Sequence, residues 1–515
     1  MRVSTPRIAA LAMAVAVTAL AAWRGACVLT GPDVDTDAYA HHMIARAILA
    51  DPRDLAVHWV WLPLFHYLQV PLVALGGTMN DVRWLNVLLA AAVPVLLFAH
   101  VRRTARSDGP AMSADATALL AAVFAAACPI AMQMGTTAQS EPLFALLALS
   151  IAIAYERRRY VTAAALLSVA VVARYEAWAI FATVGAIVAT EQLGHALRRR
   201  RGVAGEPPPA RRWLVVALPV LPILAWAVLR RPVDGRWFGF LGDTHEFASQ
   251  AVADKASRGV VGFATDALYY PAFVAVRVLG PVAVLAPFGV ARAWREQGAR
   301  FVLILAAGLA FVSLTWVQRS SLGLDRHFVA VVPLYATFAA QGIAVIAERL
   351  AVGLEFVGRR AGRRARPFVA RGIALVFALG TLAGLFVMLD VWMGLWRGAI
   401  ERGWPERVAL GAYLRTVPND APIFCDDATL EILSGLDRRR FDRHWIDDPA
   451  TWTVIAGAAR AHGAAYVATW RRKLVGHEAA GAIVFRAADA RDDAAAANAG
   501  VAVMRVTPDS DRAAR

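Results

Sequence analysis

Apolar runs of about 16–22 residues recur along the whole of this 515-residue chain. A helix of roughly 20 apolar residues crosses the ~30 Å hydrocarbon core of a bilayer. A chain that repeats the pattern this often is a polytopic α-helical membrane protein. Its composition agrees, with 58% hydrophobic residues and only 18% charged ones, where a soluble domain carries roughly 25% charge. The formal net charge is +15. The arginines stand in short clusters between apolar runs, without the interleaved aromatics of a nucleic-acid surface. Such clusters mark cytoplasmic membrane loops, and no nucleic-acid partner is expected. Cys27, Cys128 and Cys425 are far apart and follow no metal-ligand spacing, so neither a zinc site nor a disulfide framework is implied.

Apolar spans are expected near residues 8–29, 84–101, 115–134, 141–155, 160–173, 177–193, 213–229, 271–291, 301–317, 328–347 and 371–393, eleven in all. The first, with Arg2 and Arg7 ahead of it, has the form of a signal peptide or an uncleaved span. Apolar character resumes after Arg24, which favours the span. A twelfth candidate, "HWVWLPLFHYLQVPLVALGG" (58–77), is set aside on charge. With the N-terminus inside, counting it would put Arg102, Arg103 and Arg106 outside. Leaving it out puts them in the cytoplasm, together with Arg157 to Arg159, Arg198 to Arg201, Arg292 with Arg295, and Arg359 through Arg366. The positive-inside rule therefore favours eleven spans, with 58–77 as an interfacial helix at the outer face. The outer side then holds the loop 31–83, the turn "GTTAQSE" (135–141), "RYE" (174–176), the loop 230–270, "QRSSLGLDRHF" (318–328) and everything after about 394.

The membrane part is expected to occupy 1–393. The remainder, 394–515, has the pattern of a small soluble α/β domain. "PERVALGAYLRTV" has helical periodicity, "APIFCD" and "AAYVATW" have the character of short strands, "ATWTVIAGAARAHG" that of a helix, and "VAVMRVT" that of a final strand. "AADARDDAAAANAG" is low in complexity and expected as a mobile loop. The sequence contains no Gly-rich phosphate loop, nucleotide fingerprint or internal repeat.

"GPDVDTDAYAHHMIARAIL" (31–49) places Asp33, Asp35 and Asp37 two residues apart directly after the first span. Asp37 opens an expected helix and has the chemistry of an N-cap, but three acids exceed what capping needs. Such a cluster either holds a divalent cation, with Asp33 and Asp35 as ligands, or supplies a carboxylate base. Glu141 in "QSEPLF" starts a span, where an acid suits the helix dipole. Arg174, Tyr175 and Glu176 interrupt two apolar runs, and charges at such depth either pair with each other or line a cavity. Arg326 and His327 in "LDRHFVAVVPL" stand at the outer start of a span, where a cation meets a phosphate or snorkels to the interface. His41, His42, His58 and His66 have no metal spacing.

In their order along the chain, these segments resemble the GT-C class of membrane glycosyltransferases, which includes protein O-mannosyltransferases and lipid A aminoarabinose transferases. The resemblance covers most of the chain. The acidic loop running into "DAYAHHMIARAIL" is similar to the family's Asp-containing motif with its following tyrosine and arginine, here Tyr39 and Arg46. "WLPLFHYL", which contains His66, resembles its Pro-Leu aromatic interfacial helix. "SEPLFALLALSIAIAYERRR", "VVARYEAW" and "DRHFVAVVPL" resemble segments found in the same order, and a soluble outer C-terminal domain is usual. Many relatives carry Asp-Asp or Asp-Glu where this chain has Thr36-Asp37, with Asp35 one step earlier. Asp37 keeps the better spacing to Tyr39 and Arg46, and Asp35 stays the alternative.

The resemblance implies an inverting glycosyltransferase of a bacterial-type inner (plasma) membrane, with its N-terminus cytoplasmic and its C-terminal domain extracytoplasmic. It would move a hexose or pentose from a polyprenyl-phosphate donor, held among membrane lipids, to a hydroxyl of a lipid, glycan or protein acceptor. Asp37 is expected as the base, with Arg326 and Arg174 as the cations on the phosphate. His327, Glu176, Glu141, Tyr39 and His66 would complete the substrate site. A divalent cation is left open and no nucleotide is expected. The competing readings are a lipid-linked-sugar transporter or flippase and a non-catalytic lipid-linked-sugar binding protein. A transporter should show internal repeats and discontinuous midplane helices, whereas the charges here cluster at one face.

Overall fold

The computed structural model describes residues 5–33, 35–105, 110–201, 203, 208–252, 259–357, 366–418, 420–425, 428–436, 440–442, 459, 461, 463–470, 481–486 and 501–506. Its helices are α1 (Thr5–Thr30), α2 (Thr36–Ala50), α3 (Leu64–Ala74), α4 (Met79–Thr104), α5 (Ala114–Ala127), α6 (Pro129–Met134), α7 (Glu141–Glu156), α8 (Tyr160–Ala170), α9 (Glu176–Arg200), α10 (Leu214–Asp234), α11 (Gly239–Val252), α12 (Gly259–Leu268), α13 (Ala275–Leu279), α14 (Pro281–Glu296), α15 (Ala299–Val317), α16 (Val332–Val357), α17 (Arg366–Leu414) and α18 (Ala428–Ser434). The chain divides into two compact units. One comprises Met1–Thr30 with Pro52–Met393, and the other Gly31–Asp51 with Gly394–Arg515. The aspartate loop thus groups with the C-terminal segment, although sequence order places it between two spans.

In the first unit every expected apolar span is helical, and the protein is a multi-pass membrane protein. Seven helices among the described residues are long and apolar enough to cross a bilayer: Ile8–Thr30, Met79–Thr104, Glu176–Arg200, Ala210–Asp234, Ala299–Val317, Asp325–Leu354 and Arg366–Gly398. The other four spans are built from shorter pieces, and the breaks have local causes. Pro129, which cannot continue a helix started before it, separates α5 from α6. Gly280, with φ of +52°, and Pro281 separate α13 from α14. A π-helical stretch, Tyr269–Val274, precedes that break. α7 and α8 are 16 and 11 residues long and meet at Arg158, whose φ is +57°. Large apolar side chains such as Leu11, Leu88, Val376 and Leu395 remain exposed on the long helices, as lipid-facing positions must. α14 and α16 pack so closely that a Cβ on Gly289 would strike the carbonyl oxygen of Phe338, and one on Gly342 that of Leu285. Small residues at such a crossing let two backbones approach.

The segment 58–77 forms no long span. It is a 3-10 turn, Leu55–His58, followed by α3, whose 11 residues include Pro71. The expected loop 230–270 contains α11 and α12. Of the basic clusters, Arg106 and residues 359–365 lie outside the described residues.

The second unit holds a five-stranded sheet of order β2-β1-β3-β5-β4, with β1 (Ile423–Cys425), β2 (Phe441–Asp442), β3 (Tyr466–Trp470), β4 (Gly481–Arg486) and β5 (Val501–Val506). β1 pairs in parallel with β2 and β3, whereas β5 runs antiparallel to β3 and β4. Leu410, Leu414, Val417, Ile423, Leu430, Ala468 and Val503 form its buried core. "APIFCD", "AAYVATW" and "VAVMRVT" are strands as their β-branched and aromatic content indicates, and "PERVALGAYLRTV" ends α17. The expected helix "ATWTVIAGAARAHG" and the loop "AADARDDAAAANAG" lie largely or wholly outside the described residues. α2 belongs here through Arg46, whose Nη2 donates to Leu436 O at 3.2 Å and whose Nη1 stands 3.9 Å from Glu431 Oε1.

Candidate functional site

The N-terminal ends of three membrane helices carry most of the charged residues singled out by sequence. α7 opens at Glu141 with Pro142 in its first turn, α9 opens at Glu176, and a 3-10 turn, Asp325–Val331, leads into α16. Unbonded N–H groups and the helix dipole make such ends favourable to negative charge, which accounts for a glutamate opening α7 and another opening α9.

Arg174 joins the two. Its Nη1 donates to Glu141 Oε1 at 2.7 Å and to Ser140 Oγ at 2.9 Å. Its Nη2 donates to Glu176 Oε1 at 2.8 Å, and its Nε lies 3.1 Å from both Glu176 oxygens. Arg326 approaches the same glutamate from the other side, with Nε 3.5 Å from Glu141 Oε1. Side-chain exposure is 3% for Glu141, 6% for Glu176 and 14% for each arginine. Glu141 Oε2 is buried and accepts no hydrogen bond from the described residues. Burial alone would weaken Arg174's hold on its proton, but Glu141 and Glu176 outweigh it and keep the guanidinium pKa above its ordinary value. The cluster is balanced as two cations against two anions. Removing Arg174, which bonds both glutamates, would leave two buried carboxylates poorly compensated, which is far costlier than the pair is stabilising.

The chain around Arg174 is tied to the stretch that follows the 3-10 turn Leu55–His58. Tyr175 donates its hydroxyl proton to Val60 O at 3.0 Å, Leu64 N donates to Val172 O at 3.0 Å, and Trp178 Nε1 donates to Val171 O at 2.8 Å. Arg230 of α10 donates to Leu55 O at 2.7 Å and pairs with Asp234 at 2.6 Å. His66 is buried beneath this segment with its Nδ1 2.8 Å from Nδ1 of His58. One imidazole donates to the other across this contact. Burial and then the nearby Arg230 push the His58 pKa down to about 4.

The aspartates lie in the second unit. The helix cap is Asp35, where the sequence suggested Asp37: Asp35 accepts from Asp37 N at 3.0 Å, and Asp33 accepts from Asp35 N at 3.1 Å. Thr36 takes the first helical position, which moves the cap two residues toward the N-terminus. Asp33 and Asp35 therefore hold the turn, while Asp37 sits half-buried in the first turn of α2 and Tyr39 is buried two residues on. Among the described residues no three His, Cys, Asp or Glu side chains are grouped as metal ligands.

The structure thus brings Glu141, Arg174, Glu176 and Arg326 into one cluster, with His327 next to Arg326 in the chain. It places His66 in a separate buried pair. Ser140 was missed because a serine before a span reads as a helix cap. The signal available was its position beside Glu141 in a polar turn between two apolar runs.

The architecture has the fold of the membrane protein ArnT. The structure of ArnT from Cupriavidus metallidurans bound to undecaprenyl phosphate matches it with a TM-score of 0.57 at 16% identity, covering 97% of this chain and 98% of that one. The apo structure of the same ArnT matches with a TM-score of 0.55 at 14% identity, covering 92% and 93%. At such identities the likeness is one of fold. No protein-family model and no curated protein matches the chain.

Proposed function

We propose that the protein is a polyprenyl-phosphate-dependent glycosyltransferase that acts with inversion at the outer face of a bacterial-type plasma membrane. The observation that carries this reading is the Glu141–Arg174–Glu176–Arg326 cluster at three helix N-termini. Preorganised cations and helix N-termini in a poorly solvated site stabilise a phosphate as negative charge develops on it. The fold adds support, since a solved neighbour holds undecaprenyl phosphate.

Arg174 spends Nε, Nη1 and Nη2 on Ser140 and the two glutamates, so it fixes the cluster. Arg326 is the cation assigned to the donor phosphate. Asp37 is assigned as the base. It removes the proton of the acceptor hydroxyl as that oxygen bonds to the anomeric carbon. The bond from that carbon to the phosphate oxygen breaks on the opposite face, and the electron pair leaves with the polyprenyl phosphate.

The test uses purified protein and a radiolabelled polyprenyl-phosphate sugar, with the acceptor taken from the glycan that a deletion strain lacks. Arg326→Ala should raise the donor KM at least tenfold, about what one charge-assisted hydrogen bond contributes, while expression stays near normal. An unchanged donor KM would assign Arg326 to snorkelling. Movement of intact donor across a bilayer without transfer would favour the flippase, and donor binding with neither would favour the carrier.

A further inference from the structure

Two buried arginines and an asparagine, none of them in the charged cluster, converge on the stretch of chain that leads into it. Between α6 and α7, residues 135–140 are non-helical and Thr136 through Ser140 are buried. Buried non-helical backbone needs hydrogen-bond partners for its carbonyls. Here α1 and α4 supply them. Arg83 Nε donates to Thr136 O at 2.7 Å, and its Nη1 and Nη2 reach Val28 O and Cys27 O at 3.3 Å, the last carbonyls of α1. Asn86 Nδ2 donates to Thr137 O and to Gln139 O, each at 2.6 Å. Arg24 Nη2 donates to Ala126 O at 3.1 Å, at the end of α5. Gly135 closes the packing, because a Cβ there would stand 2.7 Å from Arg24 Nε and 2.9 Å from Ala90 Cβ.

The held stretch ends at Ser140 and Glu141, and both accept from Arg174 Nη1. We propose that Arg83 and Asn86, backed by Arg24, are positioning residues for the phosphate site: they fix the carbonyls of 136–139 and thereby the place of Ser140, Glu141 and the two arginines that share it. The carbonyls so held are those of Thr136, Thr137 and Gln139. The inference rests on the reading of that cluster as the donor-phosphate site. The chemistry selects these residue types. A fork of guanidinium N–H groups spans the carbonyls of two separate segments, and one amide N–H₂ spans two carbonyls of a single turn. Glu141 is at once the helix opener and the shared anion between Arg174 and Arg326. A turn that drifts moves both cations together.

The experiment compares Asn86→Ala, Arg83→Lys, Arg326→Ala and the Asn86→Ala/Arg326→Ala double variant, all full-length and monodisperse. The readouts are donor KM and kcat per folded molecule, and direct binding of sugar-free polyprenyl phosphate. Asn86→Ala should raise donor KM and weaken phosphate-lipid binding about tenfold, and it should add little to Arg326→Ala, since both act through one site. Arg83→Lys, which keeps the charge and one donor, should fall between wild type and Asn86→Ala and serves where Asn86→Ala yields too little protein. A merely structural role would reduce the folded yield and leave KM untouched. Wild-type KM in both folded variants, or effects that multiply in the double variant, overturn the positioning role while Arg326→Ala still upholds the phosphate site. A wild-type KM in Arg326→Ala removes the phosphate reading itself and the positioning role with it.

Discussion

Asp35 and Asp37 stand two positions apart at the start of α2 and differ in role. Asp35 accepts the N–H of Asp37 and caps α2, so its work needs a side-chain oxygen and no charge. Asn caps about as well as Asp, whereas Ala costs about 1 kcal/mol. Asp35→Asn should therefore keep near-normal turnover, and Asp35→Ala should lose stability first. Asp37 stands in the first turn and not at the cap, and Asp37→Asn keeps the side chain's shape while removing its basicity. Its turnover should fall roughly 10²-fold or more, the range of a positioned general base. Single-turnover rates of the three variants, with thermal stability alongside, separate the roles. Loss in Asp35→Asn with normal Asp37→Asn would exchange them, and normal rates in both would deprive the transferase reading of its base.

At the scale of elements, the α14–α16 crossing is the tightest test of the bundle. Gly342→Val would drive a side chain into the Leu285 carbonyl, a backbone atom that cannot swing aside, and overpacking of even a yielding core costs about 1–3 kcal/mol. The variant should lose its monodisperse peak on size exclusion. Gly353→Ala on the same helix, with nothing within 4 Å of the added Cβ, should behave as wild type. Helix placement was legible in the sequence because run length and hydrophobicity alone fix it. The breaks were half legible: Pro129 and Pro281 mark them, but the π-helical turn at Tyr269–Val274 depends on packing that no local pattern carries. The same holds within the site. Glu141, Arg174 and Arg326 stand out as charges at span ends. Arg83 precedes the span 84–101 and Arg24 interrupts the span 8–29, and neither position says what the side chain meets. Only the fold shows that both point inward to carbonyls as many as 107 residues away.

For the whole molecule, the arginine asymmetry makes a prediction about sidedness. Reporter fusions after Arg103 should report from the cytoplasm and fusions after Trp404 from outside, and an external signal after Arg103 would restore 58–77 as a span. The second unit adds a constraint of a different kind. α2 is made early, but Arg46 meets Leu436 across 390 residues of chain. At ~5–20 residues per second of synthesis, roughly 20–80 s pass before that contact can form. Until then the aspartate-bearing helix lacks its anchor. A truncated or stalled chain can thus insert its membrane helices and still lack a finished α2, so completion of the polypeptide acts as a timer on maturation.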